Sequence, residues 1–397
     1  MEFCTRVANQ VMLKKIQEDF SENIVSSPLS INAVLNMVAA GTTGHTLKNI
    51  LDFLGSKNID EINSKSRKMM AVAAGCGDGG SFENVGDGPI LTVVNGVWVD
   101  ERFPLVPKFK EEVLKGIFKC EANNVDFRTK ANQVVDEINS WANIASRGLI
   151  KDILSPGSIS RETTLILANA LYFKGIWDRG YEFDARWTRN RKFYLLNGST
   201  LSVPFMTSNN SYCCRSFDGF KVLQIPYQSV EPNYFSMYFF LPDEQDGLPN
   251  LLAKFNSEPG VLNQKYFELT KKELDKFWIP KFKFSFDFDV SEVVDSLGEP
   301  LSLIKNPRDL SEMLQNSEDV PFFTSGIFQK AYIEVDEKGT EAAAITICMK
   351  STGGGCRMLD IKRFSFVADH PFLFMIREES SGLIIFTGAV LNPVQEH

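Results

Sequence analysis

Residues 333–350 read IEVDEKGTEAAAITICMK, and this stretch decides the fold. It opens as a β-strand, crosses a charged turn at Asp336, Glu337 and Lys338, and passes Gly339 into a run of small residues. At a period of two, Thr340, Ala342, Ala344 and Thr346 share one face, while Glu341, Ala343, Ile345 and Ile347 share the other. A strand with only small side chains on one face fits a tight slot over a packed core, and its other face tolerates a carboxylate in water. A short Ala-rich helical turn is the competing reading of the same residues. Residues 351–357, STGGGCR, follow as an exposed Gly-rich stretch of the kind that proteases nick. An insertable strand is thus joined to a cleavable loop.

Working outward, residues 371–376 and 383–390 predict a hairpin across Ser380, Ser381 and Gly382. The cleanest alternation lies upstream, in PKFKFSFDFD at 280–289. Phe282, Phe284, Phe286 and Phe288 face one way; Lys281, Lys283, Ser285 and Asp287 face the other. Residues 165–173 (LILANALYF) and 234–241 (YFSMYFFL) are nearly continuous apolar runs, as strands buried on both faces are. Helices come earlier. Val7, Val11 and Ile16 start a helical stripe, and Ser27 and Pro28 read as the N-cap and first position of a helix that stops at Gly41. Phe109, Val113 and Ile117 mark a helix over 107–118, and Val134, Ile138, Trp141 and Ala145 mark another. Helices clustered early and strands late predict an α+β architecture rather than regular βαβ alternation. No repeat or linker divides the chain, so a single domain over residues 1–397 is expected.

The 397 residues are 44% hydrophobic and 23% charged, which suits a large core. Phe is unusually common, with 32 copies against 9 Tyr. A formal net charge of −8 argues against nucleic acid as a partner, because phosphate neutralisation needs a basic footprint. The compact basic run KSRK at 65–68 reads as a solvated helix face. With 3 His (His45, His370, His397) and 7 Cys lacking any CxxC, neither a metal site nor a disulfide framework is expected. The segment MEFCTRVANQVMLKK reads as an amphipathic helix, not a signal peptide, so a cytoplasmic location is expected, with an apoplastic one reached by an unconventional route as the alternative. On that reading the sequons at Asn197 and Asn209 stay silent. No apolar run reaches the ~18 residues of a membrane span, so no membrane partner is expected.

Enzyme motifs fail one by one. Gly75, Gly77 and Gly80 satisfy GxGxxG, but they follow a helix-like run, and residues 75–89 read as a surface loop. Neither GxxxxGK[ST] nor GxSxG occurs. A Ser-His-Asp site would rest on Asp369 and His370, which stand at the start of an apolar strand and read as structural. Asp243 and Asp246 fall in a solvent-facing turn. The expectation is a protein that is not an enzyme and carries no cofactor.

With these motifs in place, the chain resembles the serpins, and among them the plant, serpin-Z-like type. The resemblance rests on NIVSSPLS at 23–30, GTTGHT at 41–46, INSW at 138–141 with GLI at 148–150, and NALYFKGIW at 169–177. It continues through VPFM at 203–206, IPKF at 279–282, EKGTEAAA at 337–344 and FVADHPFL at 366–373. It implies a serpin fold of three β-sheets with eight or nine helices and an exposed reactive-centre loop over residues 339–363. It implies a metastable, monomeric suicide-substrate inhibitor of serine, or cysteine, endopeptidases. The loop is cut, acylates the protease in a 1:1 covalent complex, and inserts as an extra strand in the main sheet. The hinge would be Glu337, Gly339, Thr340, Glu341, Ala342, Ala343, Ala344 and Thr346. The sheet-opening cluster would be Ser27, Ser30 and Asn169, with Trp177 under the insertion start and Lys281 pairing with Glu337. Gln329 joins it where the family usually has His; Gln both donates and accepts, so the cluster persists. Spacing from Gly339 puts the reactive bond at Gly353–Gly354. Counting back from Phe366 gives Gly355–Cys356, and basic specificity favours Arg357–Met358. A non-inhibitory serpin that binds, carries or stores is the alternative, motivated by Ile345, Ile347 and the triple Gly.

Overall fold

Helix α1 (Glu2–Glu18) follows the stripe of Val7, Val11 and Ile16, all buried. Strand β1 (Ile24–Ser26) leads into helix α2 (Pro28–Ala40), which Ser27 caps by accepting the Ser30 amide at 3.1 Å. Pro28 sits at the first helical position, where no donor is needed. Helices α3 (Gly44–Leu54) and α4 (Ile59–Ala74) follow. Lys65, Arg67 and Lys68 lie exposed on α4, with Lys65 paired to Glu61 at 2.8 Å, so the basic run is a solvated face. Strand β2 (Ile90–Asp100), strand β3 (Glu121–Val125), helix α5 (Phe127–Ala145) and strand β4 (Thr163–Ile176) come next. Between β2 and β3, the helix predicted over 107–118 contains a π-helical stretch, Phe109–Lys115.

The structure is a computed structural model, and it describes residues 2–74, 89–146, 148, 150–229, 231–258, 268–289, 307–316, 324–340 and 364–395. After β4 come strands β5 (Arg189–Tyr194), β6 (Thr200–Met206), β7 (Ser211–Phe217), β8 (Phe220–Pro226) and β9 (Phe235–Pro242). Helix α6 (Leu248–Ser257) precedes β10 (Thr270–Pro280), β11 (Phe282–Asp289) and β12 (Thr324–Val335). The two-residue strand β13 (Gly339–Thr340), β14 (Phe364–Val367) and the hairpin of β15 (Phe372–Glu378) and β16 (Ile384–Val390) complete the chain. Among the described residues there are seven helices longer than a 3₁₀ turn, six α and one π, fewer than the eight or nine implied.

One sheet has six strands in the order β11-β12-β13-β4-β2-β3. The other two expected sheets are hydrogen-bonded through β10, whose start pairs with β7 at Thr270–Glu273 and whose end pairs with β6 at Ile279–Pro280. Parallel pairing of β14 with β10 fixes the chain beyond residue 363 to this junction.

Strand β4 is mostly apolar from Leu165 to Phe173, Asn169 excepted, because both faces are covered there. Leu165, Leu167, Leu171 and Phe173 enter the main core, while Ile166, Ala168 and Ala170 pack under α5 with Ile138 and Trp98. Trp98 meets Trp141 edge-on at 4.9 Å. Strand β11 holds Phe282 and Phe284 against Phe374 of β15, at 5.6 and 6.4 Å between ring centroids, which locks the two sheets together. Its other face is polar, with Lys283 paired to Glu334 at 3.4 Å. No helix among the described residues is long and apolar enough to cross a membrane. Replacement of Phe282 by Ala is expected to cost about 3–5 kcal/mol, read as a fall in the urea midpoint of the intact protein.

Candidate functional site

Strands β4 and β12 run parallel and paired from Leu165 and Ser325 to Leu171 and Ala331, with Ala168 opposite Phe328. Beyond that point they part, and β13 enters the gap antiparallel to both. Gly339 pairs with Ile176, and Thr340 pairs with Gly175 on one side and Val335 on the other. The start of the segment read above as an insertable strand is therefore already a rung in the sheet.

The sequence dictates this fit. Asp336, Glu337 and Lys338 form a turn in which the Lys338 amide donates to Asp336 Oδ1 at 2.8 Å and the Asp336 amide to the Gly339 carbonyl at 2.9 Å. Gly339 has φ +154°, and a Cβ there would stand 2.0 Å from the Gly175 carbonyl oxygen. Gly175 is equally constrained, since its Cβ would lie 2.6 Å from Tyr227 Cδ1. Two glycines thus let two backbones approach over an aromatic ring.

The ring belongs to a stack at the head of the gap. Trp177 is fully buried, donates through Nε1 to the Asp336 carbonyl at 3.0 Å, and lies 4.7 Å from the Tyr227 ring at 14°. Its amide donates to the Lys338 carbonyl at 2.8 Å. Tyr227 shares a 2.6 Å hydrogen bond with Thr340 Oγ1. Beside the stack, Lys281 Nζ donates to Glu337 Oε2 at 2.8 Å, and Thr188 Oγ1 to Glu337 Oε1 at 2.7 Å. Burial raises the Glu337 carboxyl, but these two bonds outweigh it and hold the group below its ordinary 4.5. Burial leaves the neighbouring Asp336 carboxyl above its ordinary 3.8, against the amide bonds that would lower it.

Lower down, the sheet-opening residues form two separate networks. Gln329 Oε1 accepts from Ser26 Oγ at 3.2 Å, and Gln329 Nε2 donates to the Ser27 carbonyl at 3.1 Å. These bonds tie β12 to the head of α2. Asn169 Nδ2 donates to Asn95 Oδ1 at 2.7 Å, and Asn95 Nδ2 to the Phe118 carbonyl at 2.9 Å, tying β4 to β2 and the chain beyond it. Gln329 and Asn169 are partners in register, yet their side chains bond away from the seam between them. Ser30 Oγ and Asn169 Oδ1 are buried without a partner.

The structure thus gathers Glu337, Gly339, Thr340, Trp177 and Lys281 at the head of the gap, and Ser27, Ser30, Asn169 and Gln329 around its closed part. Glu341, Ala342, Ala343, Ala344 and Thr346 lie outside the described residues, as do Gly353, Gly354, Gly355, Cys356, Arg357 and Met358. Tyr227, Ser26 and Asn95 were not singled out by the sequence; Ser26 lies within the NIVSSPLS motif, and no motif marks Tyr227 or Asn95. His370 is structural: Nδ1 meets Asp369 Oδ1 and Nε2 the Pro242 carbonyl, each at 2.9 Å. Cys4, Cys120, Cys213 and Cys214 are free thiols. Among the described residues no cluster of metal-ligating side chains occurs. The arrangement is a parallel pair of strands, β4 and β12, that parts at one end around the two residues of β13.

A family profile described as Serpin (serine protease inhibitor) matches residues 1–393. Serpin-Z3 from Arabidopsis thaliana is 42% identical, over 98% of this chain and 96% of its own length. Serpin-Z10 from the same plant is 43% identical, over 94% and 92%. The solved structure of Arabidopsis AtSerpin1 in its native stressed conformation superposes with a TM-score of 0.85 at 37% identity, covering 100% of this chain and 98% of that one.

Replacing Glu337 by Gln removes the Lys281 ion pair while keeping an acceptor for Thr188. Because the folded carboxyl titrates below 4.5, the pair contributes fully above that pH and is lost as pH falls through the folded value. The variant is expected to be about 1 kcal/mol less stable at pH 7. That gap should close toward pH 3 in a series of denaturant melts.

Proposed function

The chain belongs to the serpin family, and we propose that it acts as a suicide-substrate inhibitor of serine endopeptidases, with cysteine endopeptidases as a second target class. The observation that carries this reading is the rung at Gly339 and Thr340, laddered to β4 and β12 at once. A chain already threaded into the head of a parallel seam needs only slack to continue down it, and a cut in the loop supplies slack.

The steps follow from ordinary chemistry. The protease nucleophile attacks the carbonyl of the reactive bond within residues 353–358. An ester forms, the peptide C–N bond breaks, and the amine leaves with the proton. The freed segment from Thr340 onward then adds as a strand between β4 and β12, carrying the attached protease with it. Small residues at Ala342, Ala344 and Thr346 suit one face of that strand to a packed core. Each inserted residue adds ladder bonds that the exposed loop lacks, so the cut form lies lower in free energy. The intact form persists through a kinetic barrier rather than an equilibrium minimum.

Thr340 is buried between strands, and burying a guanidinium in place of its small side chain is costly. Thr340→Arg is expected to keep the far-ultraviolet circular dichroism of the wild type, change the near-ultraviolet signal of the Trp177–Tyr227 stack, lose SDS-stable complexes and be cleaved as a substrate. An unchanged yield of complex contradicts strand insertion. A nicked wild-type chain that gains no heat resistance supports a non-inhibitory binding or storage role instead.

A further inference from the structure

The hydroxyl pair at the head of the seam joins a fixed ring to a segment that must move. Tyr227 is anchored through its backbone: its amide donates to the Phe235 carbonyl at 3.0 Å, and the Gln228 amide to the Ile176 carbonyl at 2.8 Å. Its ring is clamped between Trp177, at 4.7 Å, and Phe173, edge-on at 5.0 Å. It passes beneath Gly175, where no side chain stands in the way. The hydroxyl therefore points from a rigid platform at one place, and Thr340 Oγ1 occupies that place at 2.6 Å. Both residues are 1% exposed, so without the pair Thr340 Oγ1 loses its partner in the buried site, while the Tyr227 hydroxyl keeps only the weak acceptor Met237 Sδ at 3.5 Å.

We propose that Tyr227 is a positioning residue that holds Thr340 as the first rung of the incoming strand. Insertion after cleavage then starts from a seated residue rather than from a free segment. This rests on the inhibitory reading above. Ordering the first residues of a strand costs conformational entropy before ladder bonds repay it. With Gly339 and Thr340 already in register, each later residue adds its bonds at once. Insertion competes with hydrolysis of the acyl-enzyme, so a seated first rung raises the fraction of cuts that end in a trapped protease.

The test uses the intact full-length chain and Tyr227→Phe, which keeps the ring and its stacking and removes only the hydroxyl. Amide exchange at Gly339 and Thr340 is expected to speed up about fivefold, the effect of losing one hydrogen bond of ordinary net strength. The number of inhibitor molecules consumed per protease trapped should rise several-fold against a protease that the wild type traps. Thr340→Val should give the same two changes, the double variant nothing further, and Thr340→Ser the wild-type values. Unchanged exchange in Tyr227→Phe overturns the latch, whether or not the wild type inhibits. Faster exchange with unchanged consumption overturns its role in insertion. A wild-type chain that traps no protease overturns the inhibitory reading itself, and with it any role for Tyr227 in trapping.

Discussion

The six-strand sheet depends on a rung two residues long. Gly339 and Thr340 hold β4 and β12 apart at one end, while the same strands pair directly below. Parallel pairing is slightly weaker per residue than antiparallel pairing, so the β4–β12 ladder is weaker per residue than the antiparallel ladders beside it. The polar side chains beside it bond elsewhere. Gln329 bonds to Ser26 and Ser27, and Asn169 bonds to Asn95. The side-chain bonds of Gln329 and Asn169 thus run away from the seam, where the ladder is backed by packing of Phe328 against the cluster that holds Ala168. Asn169 Oδ1 and Ser30 Oγ are buried without a partner, so the closed cluster is incompletely satisfied.

The head of the seam is built in the opposite sense. There the contacts are dense: the Trp177–Tyr227 stack, the Tyr227–Thr340 hydroxyl pair and the Lys281–Glu337–Thr188 network all converge on the turn at residues 336–338. The far end of the loop is held as firmly, since β14 pairs with β10. A chain tethered at both ends cannot run down the seam, however favourable the ladder that awaits it. On the proposed reading, cutting between the tethers removes that constraint and releases the energy held by the fold.

Much of this was legible in the sequence because local chemistry carries it. Ser27 and Pro28 announce the start of α2, and the Phe alternation at 282–288 announces a strand with one buried face. Of the period-two pattern at 340–346, Thr340 alone lies among the described residues, where it belongs to a strand. Lys281 and Glu337 came from the family resemblance, not from spacing. What stayed hidden depends on long-range contacts. Thr340 meets Tyr227 across 113 residues, and Asn169 meets Asn95 across 74. Tyr227 lies in an unremarkable IPYQS stretch, and nothing local says that its ring will slide under a glycine. The double duty of β10 was hidden for the same reason, since one strand serving two sheets shows no break in its own pattern.

The central claim is that the seam between β4 and β12 opens when the loop is cut. A structure of the nicked protein tests it through the spacing of Ala168 and Phe328, which are cross-strand partners in the intact chain. Neighbouring strands lie about 5 Å apart, so an added strand should place these residues about 10 Å apart. If they remain paired in the nicked protein, with the cut segment outside the sheet, the molecule is a serpin that does not spring.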